Sequence, residues 1–345
     1  MSGHWPTAAG DPVASGQLRS CPEDFRVYEE LGFEPDGDGE HALLHLEKRE
    51  LNTTDLAQRL SSLSGIHLRD ISFSGMKDRN AITRQWFSVR MAGKTEPDWQ
   101  QLASQGDVAV LNASRHRRKL KRGVHRNNYF SLVLRGLTGD PAIIEARLQQ
   151  LRLRGAPNYF GEQRFGRDGS TLVQAKSWIA SGGRRLSRNK RTLYLSVLRS
   201  QLFNSLLADR VNRGDWDQVL PGDTCILRGT RSQFSCEQVD TDIIERCRTG
   251  DLHPALPLWG LGIDQLNDAL TERWWTVLRD QRDIGDFLIK QGLELGQRAT
   301  RLIADDFCWQ FCDDDTLQLE FRLGAGNYAT ALLAEFVQYD QPRAH

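Results

Sequence analysis

Close to the C-terminus the chain reads Leu317-Gln318-Leu319-Glu320-Phe321-Arg322-Leu323, a strict alternation of apolar and polar residues. A period of two puts the four apolar side chains on one face of an extended strand and the polar ones on the other. Such a strand cannot stand alone, because its oily face and its backbone edges both need partners. The residues before it do not supply them, since Leu195, Leu198, Leu202 and Leu206 mark a long amphipathic helix and the texture to about residue 300 stays mostly helical. Strand-like segments lie instead at the opposite end, at 25–28, 41–46, 71–73, 85–89, 108–111 and 130–134. The pattern therefore predicts an α/β (α+β) protein with a mixed sheet assembled from both ends of the chain and a helical domain inserted between them. Residues 17–154 and 302–345 form the discontinuous domain, 155–301 the insertion, and 1–16, rich in Gly, Pro, Ala and Ser, a frayed N-terminus.

Local signals fill in this outline. Thr54 is read as the cap of a helix that buries Leu56, Ala57, Leu60 and Leu63, and Pro141 as the start of another running to about Leu151. Pro221-Gly222 breaks the long helix, a strand-like patch follows at 224–237, and short helices continue to about 300. A final helix is expected over 328–337. Gly37-Asp38-Gly39 marks a tight turn, and residues 75–80 a polar loop between two strands.

With 45 basic and 45 acidic residues the formal charge is zero, which argues against a protein that is basic throughout. The distribution is uneven, however. Seven of the twelve residues 115–126 are Lys or Arg, including Arg117, Arg118, Lys119, Lys121 and Arg122. A second strip holds Arg184, Arg185, Arg188, Lys190 and Arg191. One such strip is equally a solvated face, but two in different domains suit a clamp on a folded RNA backbone. The six cysteines form no C-x-x-C pair and are read as reduced, mostly buried thiols. No apolar run approaches the ~20 residues of a membrane span, and residues 1–17 lack the charge and apolar core of a leader, so a cytoplasmic protein is expected.

Two nucleotide-binding patterns fail on inspection. Gly93-Lys94-Thr95 lacks the first P-loop glycine, whose place is taken by Ser88, and no helix start follows. Gly324-Ala325-Gly326-Asn327-Tyr328-Ala329 fits G-x-G-x-x-A, but too little chain follows it for a dinucleotide fold. A tight turn presenting Tyr328 is the simpler reading. His41 and His45 share a strand face but lack a third ligand, so no metal site is expected. Phe25, Trp86, Tyr129, Phe130, Tyr159, Phe160 and Tyr328 are candidates for stacking on a base, although aromatic residues in strands are mostly core. Lys77-Asp78 on its Gly-flanked loop is, alone, an ordinary turn aspartate.

Read in order, five strings are more specific. They are Pro22-Glu23-Asp24-Phe25 with Leu31-Gly32-Phe33-Glu34-Pro35-Asp36-Gly37; Gly75-Met76-Lys77-Asp78-Arg79-Asn80-Ala81-Ile82-Thr83-Arg84-Gln85; Asn128-Tyr129-Phe130; Pro157 through Gly166, PNYFGEQRFG; and Leu323 through Thr330, LGAGNYAT. Together, from about Leu18 to Val337, the chain resembles the TruD family of tRNA pseudouridine synthases; 170–300 matches least in detail. The resemblance implies a pseudouridine-synthase catalytic domain interrupted by a TruD-specific domain, and isomerisation of uridine 13 in the D arm of tRNA, with tRNA-Glu-like substrates. It also implies no cofactor, no obligate protein partner and a monomer. It puts the family's catalytic aspartate on Asp78 and its substrate pocket on Phe25, Asn128 and Tyr328. Tyr328 stands where bacterial members carry Phe, and Arg19 where the family carries Lys. Arg19 and Lys77 are both candidate charge partners for Asp78.

The chemistry suits these residues. An aspartate of ordinary pKa, ~3.9, is ionised at neutral pH. It can act at the ribose by attack at C1′ or by removing the 2′ proton, and the sequence leaves both routes open. A uridine lifted out of the stack needs a ring beside it and an amide to read its edge. A pure RNA-binding module or chaperone would need the basic strips but not Asp78. A tRNA methyltransferase would need a nucleoside-cofactor loop early in a parallel sheet, and the only Gly-rich candidate is at the wrong end.

Overall fold

A computed structural model describes residues 5–230 and 232–340, and these separate into two compact units. One comprises 13–143, 304–326 and 337–340; the other 5–12, 144–303 and 327–336.

The first unit is built on a mixed ten-stranded sheet. Across it the strands run Asp305–Asp313, Thr316–Gly324, Asn127–Thr138, Phe25–Glu30, Ile82–Arg90, His41–Arg49 and Val108–His116. The alternating strand at 317–323 pairs with Asn127–Thr138, Phe321 opposite Phe130 and Leu319 opposite Leu132, so the two ends of the chain share one sheet. Two pairings are parallel: Phe25–Glu30 with Ile82–Arg90, and Ala14–Leu18 with Val337–Asp340. The helix Thr53–Ser64 buries Leu56, Ala57 and Leu60 against Ala42, Leu44, Leu46, Phe87 and Val89 of one sheet face. Gly39, at φ +119, turns the chain beside His116; a Cβ there would lie 2.5 Å from the His116 backbone, so only glycine fits.

The second unit centres on the helix Arg188–Arg213, whose Leu198, Leu202, Phe203 and Leu206 are buried. Around it lie the helices Ser170–Ala180, Thr241–Thr249, Asp268–Val277 and Arg282–Lys290 and a four-stranded antiparallel sheet ordered Gln233–Cys236, Asp223–Leu227, Leu252–Leu258, Gly296–Ala299.

Local expectations fail at identifiable places. The helix expected to be capped by Thr54 begins at Thr53, with Asn52 at the cap position. The long helix ends earlier than Pro221, at Gly214 in the left-handed conformation that favours glycine. Leu252–Leu258 and Gly296–Ala299 are strands inside a stretch read as helical, and Pro254 and Pro257 hid the first, since proline argues against a central strand. The final helix is a single turn, Ala329–Leu333, followed by the strand Val337–Asp340. Ala14–Leu18, whose first residues fall in the stretch expected to fray, is ordered by pairing on both sides. Cys225, Cys236 and Cys247 are buried as expected, whereas Cys308 and Cys312 lie exposed on an outer strand.

Candidate active site

Residues 74–81 link the antiparallel strands Ile71–Phe73 and Ile82–Arg90, which pair Phe73 with Phe87. A loop without regular structure holds one conformation only if its polar backbone groups are taken up elsewhere. Buried side chains do this. The Lys77 amide N–H donates to Thr53 Oγ1 at 3.0 Å, and the Thr53 hydroxyl donates to Gln85 Oε1 at 3.1 Å. The Gln85 amide in turn donates to the Gly75 carbonyl. The Lys48 ammonium donates to the Asp78 carbonyl at 2.8 Å. Thr53, Gln85 and Lys48 are each fully buried. Burial pulls Lys48 down from 10.5 to about 8, against the nearby Asp78 charge, which favours the ammonium.

The register explains how these residues meet. Lys48 pairs with Thr83 and Leu46 with Gln85; Val27 lies beside Thr83, and Glu29 pairs with Asn128. Lys48, Gln85, Glu29 and Asn128 thus occupy inward positions in phase with the apolar core, and the loop carrying Asp78 is tied to this polar patch of the sheet.

Asp78 itself is one-third exposed, and its Oδ2 accepts from Arg19 Nη2 at 2.7 Å. Arg19 follows the strand Ala14–Leu18 with φ +66, a conformation unfavourable for a side-chain-bearing residue by about 1–2 kcal/mol. Its guanidinium lies over the Phe25 ring, 3.8 Å from the centroid. Phe25 is 2% exposed and meets Phe130 edge-on. As placed, one face of Phe25 supports Arg19 rather than standing open to a base.

The structure brings Arg19, Phe25 and Asp78 together and corrects the reading of Lys77. That side chain turns inward, 3.0 Å from Glu29 Oε2, and donates to Asn128 Oδ1 at 2.6 Å. Its ion pair is therefore with Glu29, not Asp78. Asn128 Nδ2 lies 3.2 Å from His125 Nε2. Tyr328 belongs to the other compact unit, where it is half-buried and meets Phe160 edge-on at 6.0 Å. Asn204, fully buried, binds both the N–H and the C=O of Phe160, fixing the PNYFG string. A Cβ on Gly161 would lie 2.6 Å from Thr330 Oγ1, so this string packs closely on Tyr328 and Thr330.

The basic residues are sorted by their partners. Arg117 is engaged with Asp38, and Lys119 donates to the Arg69 carbonyl. Arg118, Lys121 and Arg122 are exposed and make no ion pair among the described residues. Arg185, Arg188 and Lys190 are also exposed. Arg188 and Lys190 stand in the first turn of a helix that has no acidic residue there, so cations sit at the positive end of the helix dipole. His45, weighed as a ligand, lies flat on Trp86 at 4.5 Å.

Lys48, Thr53, Gln85, Glu29 and His125 escaped sequence reasoning. For one of them a usable signal is parity: Lys48 is in phase with Ala42, Leu44 and Leu46, and a charge in that phase must face inward.

The sequence profile of the family "tRNA pseudouridine synthase D (TruD)" matches residues 7–173 and 170–336. The chain is 44% identical to tRNA pseudouridine synthase D of Methylococcus capsulatus, over 97% of this chain and 94% of that protein. It is 43% identical to the protein of the same name from Nitrosococcus oceani, over 95% and 92%, and 39% identical to that of Proteus mirabilis, over 97% and 95%. A crystal structure from Methanosarcina mazei that carries the TruD name superposes with a TM-score of 0.68 over 96% of this chain and 95% of that one. At 21% identity that likeness speaks for the fold.

Proposed function

Because the chain belongs to the tRNA pseudouridine synthase D (TruD) family, and so is an isomerase that makes pseudouridine in tRNA, we propose that Asp78 carries the reaction and that uridine 13 of the D arm is its target. The observation that carries this reading is the state of Asp78: a part-exposed carboxylate on an anchored loop, oriented by one guanidinium. The isomerisation breaks N1–C1′, turns the uracil, and forms C5–C1′; the C5 proton leaves to solvent and N1 gains one. One carboxylate at the ribose serves both the C1′ route and the 2′-proton route. Arg19 orients that carboxylate, Phe25 supports Arg19, Asn128 reads the uracil edge and Tyr328 stacks on the flipped base. The unit holding 155–301 is the inserted TruD-specific domain.

Exposed Arg118, Lys121, Arg122, Arg185, Arg188 and Lys190 hold the tRNA backbone. The Arg188–Lys190 turn supports this, since a cationic helix N-terminus is relieved by a phosphate. The protein acts as a monomer in the cytoplasm on tRNA-Glu-like substrates, without a cofactor; no helix among the described residues is long and apolar enough to cross a membrane. The test is Asp78→Asn. An amide keeps the shape but is a poor nucleophile and base, so tritium release from 5-³H-uridine tRNA should fall by several orders of magnitude while tRNA binding persists. Substantial residual release would remove Asp78 from the chemistry. A pseudouridine map of tRNA with and without the protein tests position 13.

A further inference from the structure

Beneath the Asp78 loop runs a second chain of polar contacts that the carboxylate chemistry does not use. Glu29 is fully buried, Lys77 is 6% exposed, and Asn128 and His125 are 9% and 8% exposed. Glu29 Oε1 accepts from the Trp86 backbone N–H at 3.2 Å, and Oε2 lies 3.0 Å from Lys77 Nζ. Lys77 then donates to Asn128 Oδ1 at 2.6 Å, and Asn128 Nδ2 faces His125 Nε2 at 3.2 Å.

Hydrogen-bond polarity along this chain has one solution. An ammonium only donates, so the amide oxygen of Asn128 must face Lys77. The amide nitrogen then faces His125, whose Nε2 must accept, which places the ring proton on Nδ1. Burial first, and the Lys77 charge second, push His125 below its ordinary range and keep the ring neutral, as this requires. Lys77 thus takes one of the two lone pairs on the Asn128 oxygen and holds that oxygen toward the buried ion pair, and one N–H of the NH2 group is left to offer a ligand.

We propose that Lys77, anchored by Glu29, is a positioning residue that locks the Asn128 amide as a hydrogen-bond donor, so that Asn128 reads a carbonyl oxygen of the target uracil and not its N3–H. A buried ion pair is a weak source of stability but a strong source of orientation, and here the orientation is that of a neutral amide. This rests on the reading of Asn128 as a substrate contact and extends it.

The test is a double-mutant cycle read by single-turnover isomerisation of 5-³H-uridine tRNA at saturating enzyme. Lys77→Met keeps the stem and removes the donor, freeing the amide to turn over. Its rate should fall about tenfold, the scale of one oriented hydrogen bond. Asn128→Ala should be slow too, and adding Lys77→Met to it should change the rate by less than about twofold, because Lys77 acts only through the amide. Effects that multiply would overturn the proposal and place Lys77 on the Asp78 charge, leaving the assigned activity intact. Wild-type rates for Asn128→Ala would instead remove Asn128 from the substrate, and the proposal with it. Should Lys77→Met fail to fold with Glu29 left unpaired, Glu29→Gln with Lys77→Met removes both charges and enters the same cycle.

Discussion

Lys48 occupies an inward position on a strand whose neighbouring inward residues are Ala42, Leu44 and Leu46, so its ammonium is sited where a methyl group would be expected. What holds it there is the Asp78 carbonyl at 2.8 Å. The same bond restrains the loop, so Lys48→Met should slow single-turnover isomerisation about tenfold, by loosening the placement of Asp78. Wild-type rates in a folded variant would show that the loop is held by Thr53 and Gln85 alone. Burial lowers Lys48 from 10.5 to about 8, so between these limits the unfolded chain binds more protons than the folded one. Stability from this residue is therefore full above about 10.5 and is lost as pH falls through about 8. In urea titrations the stability of wild type relative to Lys48→Met should accordingly rise from pH 8 to 10.5; a flat difference would mean that Lys48 is not depressed.

At the scale of elements, a similar argument concerns the segment 5–10, part of the stretch read as frayed. Trp5 stacks on Tyr159 at 5.8 Å, the Tyr159 hydroxyl donates to the Pro6 carbonyl, and the buried carboxylate of Glu335 accepts from the N–H groups of Ala8 and Ala9. Burial lifts Glu335 from 4.5 to about 7, the two N–H bonds opposing only in part. Its raised value gives stability that is full below about 4.5 and lost as pH rises through about 7. Glu335→Gln should remove this slope, so the stability of wild type relative to the variant declines across that window; a difference independent of pH would contradict it. Composition could not reveal this strap, because its partner lies 327 residues away. The strands that alternate, such as 317–323, were legible for the opposite reason: period two is a local property. Asp305–Asp313 was not, being an outer strand that carries charge where a central one could not. In the candidate site, Asp78, Arg19 and Asn128 were singled out by the resemblance to TruD, whereas Thr53, Gln85, Glu29 and His125 meet only once register is known. Thr53 shows the difficulty, for its hydroxyl serves the Asp78 loop and not the helix whose first residue it is.

For the molecule as a whole, the formal charge is zero, so long-range attraction to a polyanion cannot supply the affinity and local strips must. Of the strip near 117–122, Arg117 is neutralised by Asp38 and Lys119 is tied to a carbonyl, so the proposal that this strip meets phosphate falls on Arg118, Lys121 and Arg122. In the other compact unit Arg185, Arg188 and Lys190 are exposed, two of them at a helix end that favours an anion. Each phosphate left without its cation should lower the slope of log affinity against log salt by roughly 0.7–0.9. Replacing Arg118, Lys121 and Arg122 by Gln should therefore weaken tRNA binding and flatten its salt dependence, and replacing Arg185, Arg188 and Lys190 should do the same. The six-fold variant should show the sum of the two slope changes, since the strips are carried by different units. Single-turnover rates at saturating enzyme should stay near wild type in both triple variants, because the role proposed for the six residues is to hold the backbone and not to act at the ribose. An unchanged slope for either strip would mean that it faces solvent in the complex; a lower saturated rate with an unchanged slope would mean that it orders the site instead of gripping the backbone.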